Sequence, residues 1–174
     1  MSQFILSKLT RRQTLASALA AGVGALPASG AGAMVRFSLL LVNDVYRMDE
    51  DANHRGGLPR LASVVKAERA RAAQAGQMLV VAHAGDTLSP SLMSGFDHGA
   101  HMIDLFNAVG LDLFVPGNHE FDFGKENYLA RMGEAHFPIL AANLRDANGT
   151  VLPSHRDEWR AEAGGLSLAF IGAT

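Results

Sequence analysis

Past residue 33 the chain alternates short apolar runs with longer amphipathic stretches, and each early apolar run stops at a polar residue. Residues 37–42, Phe-Ser-Leu-Leu-Leu-Val, are the length of one strand and end at Asn43-Asp44, which predicts a strand buried on both faces. Over residues 58–75, Leu58, Leu61, Ala62 and Val65 share one face while Arg60, Lys66, Arg69 and Arg71 lie elsewhere, an amphipathic helix closed by Gly76. A second apolar run, 78–82, ends at His83-Ala84-Gly85-Asp86, and a helical pattern covers 99–109 before Gly110. Residues 113–115 form a third strand ending at Pro116-Gly117-Asn118. A helix over 125–135, a strand over 139–142 and a last strand over 166–171 complete the pattern.

Strand and helix in alternation predict an α/β fold with a mainly parallel sheet and right-handed crossovers. In such sheets the polar groups at the carboxyl ends of strands converge on one crevice. Asp44, Asp86, and Asn118 with His119 punctuate three successive strands, 42 and 32 residues apart, each interval about one strand-helix-strand unit. Taken singly, each is an ordinary turn or helix-cap residue. Taken together, they reach the same rim.

Composition narrows the chemistry. With 48% hydrophobic and 18% charged residues the chain suits one globular domain, and the absence of cysteine leaves His, Asp, Glu and Asn as metal donors. The formal charge of −2 hides an asymmetry, since residues 1–33 hold Lys8, Arg11 and Arg12 and no acid. The remainder has 12 basic against 17 acidic residues, a net of −5, and an acidic body offers no basic face for nucleic acid.

The basic N-terminus precedes a weakly apolar run at 15–26, Pro27 and small residues up to Ala33, the layout of an export signal. Thr10-Arg11-Arg12 resembles a twin-arginine signal, with Thr14 where a bulkier apolar residue is usual and Ala31-Gly32-Ala33 as a cleavage site. The run is too short to span a bilayer, which takes about 20 residues. The expectation is residues 1–33 as a signal and a periplasmic or otherwise exported body. Translation from Met34 would instead give a cytoplasmic one.

A carboxylate can bridge two divalent cations that activate water and stabilise the oxygens of a phosphoryl displacement. Asp86 is the candidate bridge, Asp44 the carboxylate for the first metal, and Asn118 a neutral oxygen for the second. His119 can donate a proton or hydrogen bond to the leaving oxygen, with Asp122 orienting its ring. His83 is either a core residue or a contact behind the metals. His98, His101 and His155 read as surface or loop residues, and Phe121 and Phe123 as packing beneath the site.

Asn43-Asp44-Val45-Tyr46, Gly85-Asp86 and Gly117-Asn118-His119-Glu120-Phe121-Asp122 resemble, in order and spacing, the motifs of metallophosphoesterases. The last six resemble the 5'-nucleotidase signature. Gly56-Gly57-Leu58-Pro59-Arg60 and Ala141-Ala142-Asn143-Leu144 resemble the same branch, bacterial 5'-nucleotidase and 2',3'-cyclic phosphodiesterase-like proteins. The resemblance covers residues 37–174 and implies the N-terminal part of a calcineurin-like domain. The fold implied is a four-layer αββα sandwich, of which the chain is roughly the first half. The implied cofactors are two divalent ions (Mn, Zn, Mg, Co or Ca), and the substrate a nucleotide or other phosphate ester. The implied roles are metal ligands at Asp44, Asp86 and Asn118 and a catalytic dyad of His119 and Asp122, with Asn143 on the substrate side.

Two departures stand out. Tyr46 occupies the place of the histidine in the family's Asp-x-His motif, with His54 as a substitute, and the later Gly-His-x-His ligands have no counterpart. Besides a metal-dependent phosphoesterase, the sequence therefore leaves open a non-catalytic scaffold that binds a nucleotide or a partner.

Overall fold

The computed structural model describes residues 34–174; the expected signal at 1–33 lies outside the described residues. The order of elements is β1 (Phe37–Val42), α1 (Leu58–Gln74), β2 (Met78–His83), α2 (Ser94–Asp97), α3 (Ala100–Val109) and β3 (Leu113–Phe114). A 3-10 turn (Asn118–Phe121), α4 (Gly124–Glu134), β4 (Ile139–Leu140), β5 (His155–Arg156), β6 (Glu158–Ala163) and β7 (Leu166–Ile171) follow.

Strands β1 to β5 form one parallel sheet in strictly sequential order. Because every crossover of the same hand then moves one strand in the same direction, the connecting helices fall on one face. Leu58 and Val65 of α1, Met102, Ile103 and Phe106 of α3, and Tyr128 and Met132 of α4 pack there against Val81, Phe114 and Ile139. Alternate strand residues point the other way. Val80, Ala82, Leu113 and Leu140 meet Trp159 and Phe170 of the antiparallel hairpin β6–β7, whose turn is Gly164-Gly165. Helices, parallel sheet and the two-stranded second sheet are the part of the expected sandwich that the described residues form.

Three expectations need correction. β1 lies at the sheet edge and is not buried on both faces: Phe37, Leu39 and Leu41 are 46%, 48% and 57% exposed, because the hairpin does not extend over them. The last strand, β7, is not a member of the parallel sheet; it turns back on β6, a strand the apolar pattern does not reveal. His155 is no loop residue but sits buried in β5, its ring hydrogen-bonded to the Tyr128 hydroxyl.

Candidate active site

The loops after β1, β2 and β3 are tied to one another by backbone. The Asp44 N–H donates to the Gly85 carbonyl at 3.1 Å, and the Thr87 hydroxyl to the Val45 carbonyl at 2.6 Å. Where the β2 and β3 loops touch, only glycine fits: a Cβ on Gly85 would lie 2.2 Å from the Gly117 nitrogen, and one on Gly117 would lie 2.3 Å from Asp86 Oδ1. Asp44 and Asp86 both occupy the left-handed backbone region, at φ of 57° and 64°. Aspartate tolerates that region better than most side chains, and such conformations cluster where surrounding structure over-determines them.

The carboxylate that joins the loops is Glu120, which has no exposed surface. It accepts the backbone N–H groups of Asp86 (2.8 Å), Thr87 (2.7 Å), Leu88 (3.2 Å) and Gly117 (2.6 Å). A buried anion needs that number of donors, and here they come from the two loops that carry Asp86 and Asn118. The sequence offered one unread signal: an acid between His119 and Phe121 with no basic residue nearby to pair with it.

The remaining candidates gather around this frame. The His119 backbone N–H donates to Asp86 Oδ1 at 2.9 Å, and its ring Nδ1 meets Asp122 Oδ2 at 2.8 Å. The same Asp122 oxygen accepts the Ser89 hydroxyl at 2.8 Å, a partner not foreseen from sequence. The hydrogen bond that His119 donates to Asp122 raises the His119 pKa, and hydrogen bonds from His119 and then Ser89 lower that of Asp122. Nδ1 is thereby committed, which leaves Nε2 as the working nitrogen.

Tyr46 closes the rim from the β1 side. Its ring meets His119 edge-on with centroids 6.0 Å apart, and its hydroxyl donates to Asp44 Oδ1 at 2.8 Å. Burial first, then the hydrogen bond and charge of Asp44, raise the phenol pKa, so the proton stays. Asp44 and Tyr46 open onto a cavity of about 440 Å³ that Arg47, Arg55 and Arg60 also line. Asn118 is exposed on the same rim, at the start of the 3-10 turn.

Two curated relatives are similar to this chain over most of its length. A 5'-nucleotidase of Homo sapiens is 32% identical over 139 residues, covering 73% of this chain and 23% of the relative. A snake venom 5'-nucleotidase of Gloydius brevicauda is 28% identical over 143 residues, 72% and 24% of the respective chains. The chain belongs to the 5'-nucleotidase-like metallophosphoesterases. A solved structure, the NAD nucleotidase of Haemophilus influenzae, has the same fold, with a TM-score of 0.67, 24% identity and coverage of 78% of this chain and 26% of that one. No family model matches. The chain spans about a quarter of the length of these relatives.

Membership implies divalent metal, and the donors present answer only partly. Asp44, Asp86 and Asn118 supply oxygen, which suits a hard divalent cation. Among the described residues no three acidic or imidazole groups come together as a metal cluster. The donor set thus fits one side of a coordination shell and does not close it. His54 does not complete it either: its side chain is 80% exposed, pairs through Nδ1 with Glu50 and belongs to no such cluster.

The other candidates divide. His83 is fully buried between Phe106 and Phe114, with Nδ1 accepting the Gly85 N–H at 3.1 Å, so it is a core residue that also holds the β2 loop. His98 is exposed and stacks on Phe123, and Phe121 packs on Tyr128. His101 is not a free surface residue: its side chain is 12% exposed and its Nδ1 meets the Asp97 carboxylate at 2.8 Å. Asn143 exchanges two hydrogen bonds with the backbone of Thr174.

Proposed function

We propose that the chain is part of the catalytic domain of a metal-dependent phosphoesterase acting on nucleotides, with Asp44, Asp86 and Asn118 facing the metals and His119 and Asp122 as the catalytic dyad. The observation that carries this reading is the double attachment of His119: its backbone N–H on Asp86 and its ring on Asp122. That arrangement sets an imidazole beside the carboxylate assigned to the metals, with Nε2 free to donate to the leaving oxygen of a phosphate ester.

Divalent ions bound there would polarise the phosphoryl group and acidify a water. The chain's own residues do the rest. Asp122 fixes the His119 ring, Glu120 fixes the loops, and Asp86, which accepts the His119 backbone N–H, would also hold metal. Water adds its oxygen to phosphorus and gives up a proton, the bond from phosphorus to the ester oxygen breaks, and that oxygen leaves with the proton from His119, which the water's proton then replaces; the products are phosphate and an alcohol. The net charge of −5 on residues 34–174 argues against nucleic acid, and attraction of a small anionic ester would depend on bound metal. The basic and apolar pattern of residues 1–33 supports export, with two ions of Mn, Zn, Mg, Co or Ca as cofactors.

The test is phosphate release from AMP by the full chain with and without Mn, beside His119→Ala. Mn-dependent release that disappears in His119→Ala is expected. Release that survives the substitution overturns the dyad. Tyr46 favours a second reading, a scaffold that binds without turnover, and a folded chain that binds Mn but releases no phosphate decides for it.

A further inference from the structure

Tyr46 stands two residues after Asp44, where the resemblance calls for a histidine. It does not replace that ligand in kind. Its hydroxyl hydrogen is committed to Asp44 Oδ1 at 2.8 Å, and the side-chain amide of Asn43 reaches Oδ2 of the same carboxylate. Both oxygens of Asp44 are therefore met by neutral donors one and two residues away in the same loop. A proton on the line between the phenol and the carboxylate occupies the place where a cation bridging the two would sit. The backbone of this loop is anchored as well: Asp44 sits at φ 57° with its N–H on the Gly85 carbonyl.

Among the described residues no group of three acidic or imidazole side chains forms that would supply this nitrogen. The nearest ring in sequence, His54, pairs with Glu50 on a side chain that is 80% exposed, and Nε2 of His119 is assigned to the leaving oxygen of the proposed reaction. On the other side of the rim the donors are better placed. Asp86 uses Oδ1 for the His119 N–H, and Asn118 is exposed at the start of its turn.

We infer that Tyr46 is a hydrogen-bonding clamp on Asp44 rather than a metal ligand, so that the Asp44 side of this site is the weak side for a divalent cation and histidine at position 46 would strengthen it. Taking Asp44 and Asp86 as metal-facing rests on the function proposed above. Tyr46 is thus a positioning residue, acting through Asp44. A nitrogen there would place an imidazole and two carboxylates on one rim, the mixed donor set that divalent transition ions accept.

The test is Mn binding to the full 174-residue chain, followed by calorimetry and by the electron spin resonance of free Mn, for wild type, Tyr46→Phe, Tyr46→His and Tyr46→His with Asp44→Asn. Tyr46→His is expected to bind about tenfold tighter than wild type or better, the range over which such donors change affinity. Adding Asp44→Asn should remove that gain, and Tyr46→Phe should bind no more weakly than wild type. A Tyr46→His chain without tighter binding, or a Tyr46→Phe chain that loses affinity, overturns the inference. A measurement on the wild type adds a second reading: Mn should leave the ultraviolet tyrosinate spectrum unchanged, and a tyrosinate signal that Tyr46→Phe lacks and Tyr128 therefore does not explain would make Tyr46 a ligand and overturn the inference. Tighter Mn capture by Tyr46→His without phosphate release would support the clamp and overturn the catalytic reading, so the two are separable.

Discussion

The Glu120 carboxylate, with none of its surface exposed, accepts the backbone N–H of Asp86 at 2.8 Å. Through the same two oxygens it reaches Gly117, so one side chain sets the distance between the loop carrying Asp86 and the loop carrying Asn118. Glu120→Gln keeps the size and removes the charge, and its NH2 would face N–H groups that need an acceptor. The variant should lose about 2–4 kcal/mol of stability, as expected for charge-assisted bonds broken in a buried site. Urea denaturation measures this directly, and a loss below about 0.5 kcal/mol, the level of ordinary surface changes, would remove Glu120 from its role.

Where Gly85 and Gly117 meet, steric contact makes the same point without charge. Gly117→Ala puts a Cβ 2.3 Å from Asp86 Oδ1, so either the backbone or the carboxylate must move. The cost should be about 1–3 kcal/mol, with a matching loss of Mn affinity if Asp86 faces the metal. Gly133→Ala is the control. Gly133 lies inside α4 with nothing within 4 Å of an added Cβ, and alanine there should stabilise by about 0.5–1 kcal/mol.

Much of this arrangement is legible in the sequence, and the parts that are not share a physical reason. The three β-αβ units are readable because each strand core is apolar and each ends at Asp44, Asp86 or Asn118. β6 is not readable that way: Glu158, Arg160 and Glu162 take alternate positions, and on the other face Trp159 is its one large apolar residue. His155 hides for a similar reason, since its burial depends on Tyr128, 27 residues away, while its sequence neighbours Arg156 and Asp157 are polar. Glu120 escaped because its partners are backbone groups, which leave no mark in side-chain pattern.

His83 gives the fold a pH dependence whose sign follows from burial. Burial pushes its pKa from 6.5 down to about 4, against a smaller opposing pull from Asp44. The unfolded chain takes up this proton as pH falls through about 6.5, and the folded chain does not until about 4, so stability falls across that window and this contribution levels off below it. The full effect is about 3 kcal/mol. His83→Asn keeps an acceptor for the Gly85 N–H and should flatten the slope between pH 6.5 and 4 in urea midpoints. Burial of His155 lowers its pKa as well, so the quantity to compare is the difference between wild type and variant, and equal slopes would clear His83 of the effect.

Asp122 holds the Nδ1 side of His119 while also accepting from Ser89, and the two contacts predict different losses. Asp122→Asn offers either a carbonyl, which cannot neutralise an imidazolium, or an NH2, which would turn Nδ1 into an acceptor and move the ring's proton to Nε2. In both cases the charged form of His119 loses its partner, and a proton donor to the leaving oxygen becomes weaker. On the proposed reaction kcat for AMP should drop about a hundredfold or more, the scale of a lost acid–base contribution, while KM changes little because no contact to substrate is removed. Ser89→Ala removes only a neutral donor to the same oxygen and leaves the His119–Asp122 pair intact, so its loss should stay within about tenfold. Phosphate-release kinetics on both variants, each checked for native stability, would separate the contacts. Equal losses would mean that Asp122 serves the structure of the β2 and β3 loops rather than the state of His119.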